Sequence, residues 1–240
     1  MEEKDFKEEL RKAAETIEIT LDNVMLEKFY DYKNMIIEWN EKINLTAITE
    51  PDEISEKHFL DSVLPFYMWN GVKEGAKIID VGTGAGFPSC PLKVMKNHIQ
   101  LTLLDSLNKR INFLSTLSDE LNLDAKCVHG RAEEMGNNTE FREKYDIATA
   151  RAVANLRDLC EYCMPFVKVG GHFVALKGQS GLEEVKDAEN AIKILGGVVE
   201  KTIEYNLPNG DGRVLVVIKK TSHTPAKYPR NKGQMKKKPL

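Results

Sequence analysis

Apolar side chains along residues 1–70 recur with the period of a helix. Phe6, Leu10, Ala13 and Ile17 share one face of a first segment, and Leu26, Phe29, Tyr30, Ile36 and Ile37 mark a second over 21–39. Ile54, His58, Phe59, Val63 and Leu64 mark a third, over about 52–69. The stretch Asn44-Leu-Thr-Ala-Ile-Thr49 links the last two, and Pro51 suits a first helical turn, where its missing N–H is not needed. From Gly75 the pattern changes. Short apolar runs at 78–81, 99–105, 126–129, 145–150, 172–177, 198–205 and 214–219 predict seven strands. Helical stretches at 88–97, 107–121, near 155–165 and at 183–195 fall between them, the last stopped by Gly196-Gly197. The final two strands are separated only by Leu-Pro-Asn-Gly-Asp-Gly212, too short for a crossover helix, so they are expected to pair antiparallel. The predicted architecture is α/β: a doubly wound, mostly parallel seven-stranded sheet with an antiparallel end. Residues 1–70 form an N-terminal helical extension, 71–221 the sheet domain and 222–240 a tail. The sheet does not need the extension, which is therefore expected to cover a ligand site or meet a substrate.

The first strand runs directly into Asp80-Val-Gly-Thr-Gly-Ala-Gly-Phe-Pro88. Gly82, Gly84 and Gly86 allow a tight turn and a close backbone approach to a ligand. A dinucleotide site would show G-x-G-x-x-G and place its acid about 20 residues later. Here the glycines alternate and the acid precedes them, which resembles motif I of the class I S-adenosylmethionine (SAM) methyltransferases.

Ligands of such sheets lie at the carboxyl ends of the strands, so residues there carry the candidate chemistry. Asp105 ends the second strand and can either accept both hydroxyls of a ribose or cap the helix that follows. Gly130-Arg-Ala-Glu-Glu134 follows the third strand, where a backbone amide and a carboxylate can address an adenine edge. Arg151 follows the fourth. Its planar fork suits the methionine carboxylate of SAM, a substrate phosphate, or an internal salt bridge. His58, between Lys57 and Phe59, reads as a packed histidine or as a contact to cofactor or substrate.

Charge changes the picture at one end. The 240 residues carry a net charge of −3, yet the last acid is Asp211, and nine Lys/Arg follow it. A basic tail on an acidic body points to a polyanionic partner, the alternative being a solvated, disordered tail. Cys160 and Cys163 form a C-x-x-C with no second pair to complete a zinc set, and their i, i+3 spacing reads as one buried helix face. No metal is expected. No apolar run approaches the roughly 20 residues of a membrane helix, and the charged first ten residues have no signal-peptide core, so a cytoplasmic location is the expectation. Nothing in the chain demands more than a monomer.

Six segments in order resemble one family, the bacterial 16S rRNA guanine-N7 methyltransferases (RsmG, glucose-inhibited division protein B). They are Trp39-Asn-Glu-Lys-Ile-Asn-Leu-Thr46, His58-Phe-Leu-Asp-Ser62, the glycine loop 80–88, Arg131-Ala-Glu133, Ala150-Arg-Ala152, and Tyr228-Pro-Arg230 with Lys238-Pro-Leu240. The resemblance implies a class I SAM-dependent methyltransferase fold (Rossmann-like), SAM as cofactor, and N7 of a guanine in 16S rRNA of the small ribosomal subunit as acceptor. It implies donor contacts at Gly82 and Phe87, at Ala132 and Glu133, and at Arg151, with Gly84 beside them in motif I; Asp105 is added from its strand-end position. Two departures are visible: Ser89-Cys90, and Asn231 with Met235 in the tail.

Guanine N7 already carries a lone pair at neutral pH, so no general base is expected, and in-line positioning carries the catalysis. Lys227, Arg230, Lys232, Lys236, Lys237 and Lys238 are the candidates for rRNA phosphate contacts. Two rivals stay open: a ribosome-assembly factor that binds RNA and uses SAM structurally, and a small-molecule SAM methyltransferase that gains nothing from the tail.

Overall fold

The computed structural model describes residues 2–240. Two helices open the chain, α1 (Glu3–Thr16) and α2 (Asn23–Ile43). Asp22 starts α2 by accepting the Met25 N–H, and Asn44 stops it in the left-handed conformation that Asn tolerates. The third segment is continuous but not uniformly α-helical. It begins as α3 (Pro51–Glu53), winds as a π-helix through Ile54–Leu60, and resumes as α4 (Asp61–Trp69).

Seven strands follow: β1 (Lys77–Val81), β2 (Gln100–Asp105), β3 (Lys126–His129), β4 (Tyr145–Arg151), β5 (Val167–Gly178), β6 (Gly197–Asn206) and β7 (Gly212–Lys220). Between them lie α5 (Ser89–Met95), α6 (Asn108–Glu120), α7 (Ala132–Met135), α8 (Leu156–Cys163) and α9 (Gly181–Ile194). The strand order is β3-β2-β1-β4-β5-β7-β6, parallel except for β7, which runs antiparallel to both neighbours. This is the expected sheet. The order reverses between β1 and β4, which places the ligand crevice beyond Val81 and Arg151. β5 begins earlier than predicted because it runs through Gly170-Gly171, where its pairing with β4 slips between Tyr145 and Ile147.

Alternate strand residues face two separate cores. Ile78, Leu101, Leu103, Val174, Leu176, Leu215 and Val217 pack with α2, α4 and α6 through Phe29, Phe66, Phe113 and Leu117. Ile79, Leu104, Ala148, Ala175, Val214, Val216 and Ile218 pack with α8 and α9 through Leu159, Cys160, Cys163 and Ala191. The N-terminal helices therefore share one core with the sheet, α5 and α6, beyond the site-covering role expected of them. Cys160 and Cys163 are free thiols in the second core, and burial pushes both well above the usual thiol range. The tail is ordered as well. Tyr228 and Met235 are buried, and a short helix, α10 (Lys232–Lys237), is closed by a reciprocal capping box between Asn231 and Gln234.

Candidate active site

The glycine loop leaves β1 under tight control. The N–H groups of Gly82 and Thr83 both donate to Leu104 O, at 2.8 and 3.3 Å, and those of Gly86 and Phe87 donate back to Thr83 O. Asp80 is fully buried beneath the loop and accepts from the Thr83 hydroxyl (2.9 Å) and the Ser89 N–H (3.2 Å). Burial pushes its carboxyl up to about 7, although those two donors hold it down. The departure at Ser89 thus keeps its amide on Asp80. A Cβ at Gly86 would collide with the Tyr32 hydroxyl and lie 2.8 Å from Cys90 Sγ, whereas one at Gly84 would meet nothing within 4 Å. The loop is packed tight on the protein side and open at its tip.

The Tyr32 hydroxyl, on α2, donates to Ala85 O at 2.6 Å, and its ring stacks on Phe87 at 5.4 Å. Phe87 also stacks on His58 (4.4 Å) and carries the Arg151 guanidinium over its face (4.8 Å). Arg151 in turn donates to Asp61 Oδ2 (3.1 Å), to Lys57 O (3.1 Å) and to His58 Nδ1 (3.2 Å). His58 Nδ1 also lies 3.2 Å from Lys57 O, and Nε2 pairs with Thr46 Oγ1 at 2.9 Å. Burial and the adjacent guanidinium drive the His58 pKa down to about 3, so the ring is neutral. Asp61 Oδ1 accepts from Arg213 (3.2 Å) and Tyr205 (3.4 Å), so one buried carboxylate joins α4, β4, β6 and β7. Tyr32, Asp61 and Arg213 were missed in the sequence. Asp61 lies inside a segment that was picked out, and Arg213 is a lone charge opening an apolar strand.

Two cavities flank this apparatus at the carboxyl edge of the sheet. One, of about 280 Å³, is lined by Gly82, Asp105, Ala132, Glu133, Val153, Tyr162 and Lys232, among others. The other, of about 360 Å³, is lined by His58, Asp61, Arg151, Lys177, Glu184 and Arg213, among others. The loop after β4 divides them. Ala152, at φ +56°, borders the second, and Val153, at the first, blocks any Cβ on Gly82 at 2.9 Å. Lys177 holds this loop from behind, donating to Ala154 O (2.9 Å) and pairing with Glu184 (2.8 Å), which also accepts the Leu156 N–H.

The structure thus divides the expected donor set. Gly82, Asp105, Ala132 and Glu133 line the first cavity, and the Gly84 N–H is bonded to Asp105. Arg151 instead lines the second, with Phe87 packed against it and against His58. Asp105 combines both readings given for it: its carboxylate accepts from Gly84 N–H (3.0 Å), Leu107 N–H (2.9 Å) and Arg110 (3.4 Å). Each oxygen keeps further acceptor capacity for a ribose hydroxyl. Arg151 is engaged in the internal salt bridge that was one of its three alternatives. The residues fit SAM. The glycine tip offers open backbone, Asp80 Oδ1 is a buried oxygen with no partner, and Glu133 supplies a half-buried carboxylate beside the cavity.

A sheet of this order, with its acid-then-glycine loop and donor cavity at the switch point, defines a class I SAM-dependent methyltransferase. The comparisons agree. The family model described as rRNA small subunit methyltransferase G matches residues 25–209. The ribosomal RNA small subunit methyltransferase G of Clostridium novyi is 47% identical over 99% of this chain and 98% of its own length. That of Alkaliphilus metalliredigens is 50% identical over 96% of this chain and 97% of its own. Among solved structures, the geranyl diphosphate C-methyltransferase of Streptomyces coelicolor shares the fold, with a TM-score of 0.52, 13% identity, and 79% of this chain and 98% of that chain covered. The chain belongs to the rRNA small subunit methyltransferase G family.

The tail differs from a free basic arm. Arg230, expected to contact phosphate, is paired with buried Glu161 of α8 and is not free to do so (Nε–Oε1 2.8 Å, Nη2–Oε2 2.6 Å). Arg142 holds the tail carbonyls of Thr224 and Tyr228, each at 2.8 Å. Lys227, Lys236, Lys237 and Lys238 are exposed, and Lys232 stands at the rim of the first cavity.

Proposed function

We propose that this chain transfers the SAM methyl group to N7 of one guanine in 16S rRNA of the small ribosomal subunit. The observation that carries the reading is the pair of cavities divided by the Ala152–Val153 loop, one fitted to the donor and one ringed by Arg151, Lys177 and Arg213, on a chain that matches its relatives end to end. SAM supplies an electrophilic sulfonium methyl. Gly82, Asp105, Ala132 and Glu133 hold the donor, and Phe87 and Arg151 shape the passage to the acceptor. The second cavity receives the guanine, whose N7 lone pair attacks without prior loss of a proton. Neutral His58, with both ring nitrogens engaged, acts as a spacer and not as a base. Positive charge moves onto the purine as the methyl arrives, and the carboxylates of Asp61 and Glu184 lower its cost there. Exposed Lys227, Lys236, Lys237 and Lys238 engage the RNA backbone. The protein works as a monomer in the cytoplasm; none of its helices among the described residues is long and apolar enough to cross a membrane.

The test is methyl transfer from labelled SAM to purified 30S subunits lacking the modification, with the product nucleoside identified by mass. Label in 7-methylguanosine at a single 16S rRNA site supports the proposal. SAM and RNA binding without transfer would replace it with an assembly-factor role. Transfer to small molecules with no response to replacing the exposed Lys227, Lys236, Lys237 and Lys238 by Ala would replace it with the other rival.

A further inference from the structure

The tail does more than carry positive charge. Asn137, just past α7, donates to both Glu133 O (2.9 Å) and Pro229 O (3.0 Å), which ties the tail to the turn bearing Ala132 and Glu133. One residue later Arg230 grips Glu161, and its backbone N–H adds a third bond to the same carboxylate (2.8 Å). Glu161 sits on α8 beside Tyr162, which lines the opposite wall of the donor cavity. Arg230 also donates to Lys238 O (2.7 Å), which folds α10 back and sets Lys232 at the cavity rim. The segment 229–238 therefore joins α7 to α8 across the donor cavity.

The geometry points to a donor-site role for this segment: it staples the two walls of the SAM cavity, with Arg230 and Asn137 as positioning residues and Lys232 as a rim contact. The inference rests on the assignment of that cavity to the donor. The physical reason is preorganisation. α7 is a single turn with no buried residue of its own, and a ligand that had to order it on binding would lose affinity.

The experiment is calorimetric titration of the full chain with S-adenosylhomocysteine, without RNA. The paired change Glu161→Met with Arg230→Met removes the staple without stranding a buried charge. It is expected to weaken binding about tenfold, and Asn137→Ala, a milder change that keeps the fold, about threefold. In methyl transfer to 30S subunits, Asn137→Ala, which leaves Arg230 on Lys238 O, should raise KM for SAM while KM for the subunit stays near its original value. Hydrogen exchange at amides 132–135 should speed up in both variants. Glu133→Ala is the control for the cavity. If it leaves binding unchanged, the donor assignment fails. If it weakens binding while the staple variants bind as tightly as the parent, the staple is refuted.

Discussion

Tyr32→Phe removes a single oxygen from a fully buried ring and tests whether α2 holds the glycine loop. That oxygen donates at 2.6 Å to Ala85 O, 53 residues away, inside the loop that meets the donor. Without it the carbonyl keeps its place in a dry interior with no donor. An unsatisfied buried acceptor costs roughly 1–3 kcal/mol. The phenyl ring keeps its stack on Phe87 and Phe59, so little packing is lost. We take about 1.5 kcal/mol as the expected loss of stability. For a chain of this size that lowers Tm by roughly 3–6 °C. Urea unfolding followed by circular dichroism measures the first quantity, and a thermal scan the second. Part of the loss should reappear in ligand binding, because the loop then samples conformations unsuited to the donor; affinity for S-adenosylhomocysteine should fall about fivefold. A loss of stability below about 0.5 kcal/mol together with unchanged affinity would show that the loop is held by its own backbone bonds, and the role assigned to α2 would be wrong.

Three further outcomes are expected. Gly86→Ala forces a Cβ against the Tyr32 hydroxyl and Cys90 Sγ at φ +98°, whereas Gly210→Ala has a similar φ and open space, so urea midpoints should show the first costing about 3 kcal/mol and the second about 1. His58 has a folded pKa of about 3 against an ordinary value near 6.5, so the unfolded chain binds its proton first and stability falls as pH drops from about 6.5 toward 3; His58→Gln should flatten that part of the stability–pH curve, and an unchanged slope would place the ring in a wetter site. Binding to 30S subunits should weaken with salt, and replacing Lys236 and Lys237 by Ala should reduce the slope of log K against log salt by about 1.4, while a slope equal to the parent's would remove them from the interface.

Much of the sheet was legible because its strands are short, apolar and rich in Val, Ile and Leu, while the links around them carry Gly, Pro and Asn. The antiparallel end followed from one loop too short for a crossover. Gly82, Asp105, Ala132 and Glu133, which line one cavity, were readable as neighbours because each lies within a few residues of a strand's carboxyl end. Arg230 was misread because charge counting treats every basic tail residue as solvated, and its partner Glu161 lies 69 residues away on a helix that shows no sign of needing a cation. Tyr32 was passed over in the second helical segment, since its hydroxyl acquires a task through tertiary contact alone. α10 was overlooked because six residues give no periodicity, although Asn231 and Gln234 do carry the spacing of a capping box.

The π-helical stretch at Ile54–Leu60 has a consequence for how this region tolerates change in length. A π turn is, in effect, an α-helix that has accepted one extra residue. Removing one residue between 54 and 60 would let the segment relax to an ordinary helix, with the stretches on either side keeping roughly the facing they have now. Asp61, the first residue beyond the stretch, would keep Arg151 and Arg213, whereas His58, inside it, would shift relative to Thr46. A single-residue deletion within 54–60 should therefore be better tolerated by the fold than one in α2, where it would rotate the rest of the helix by about 100°.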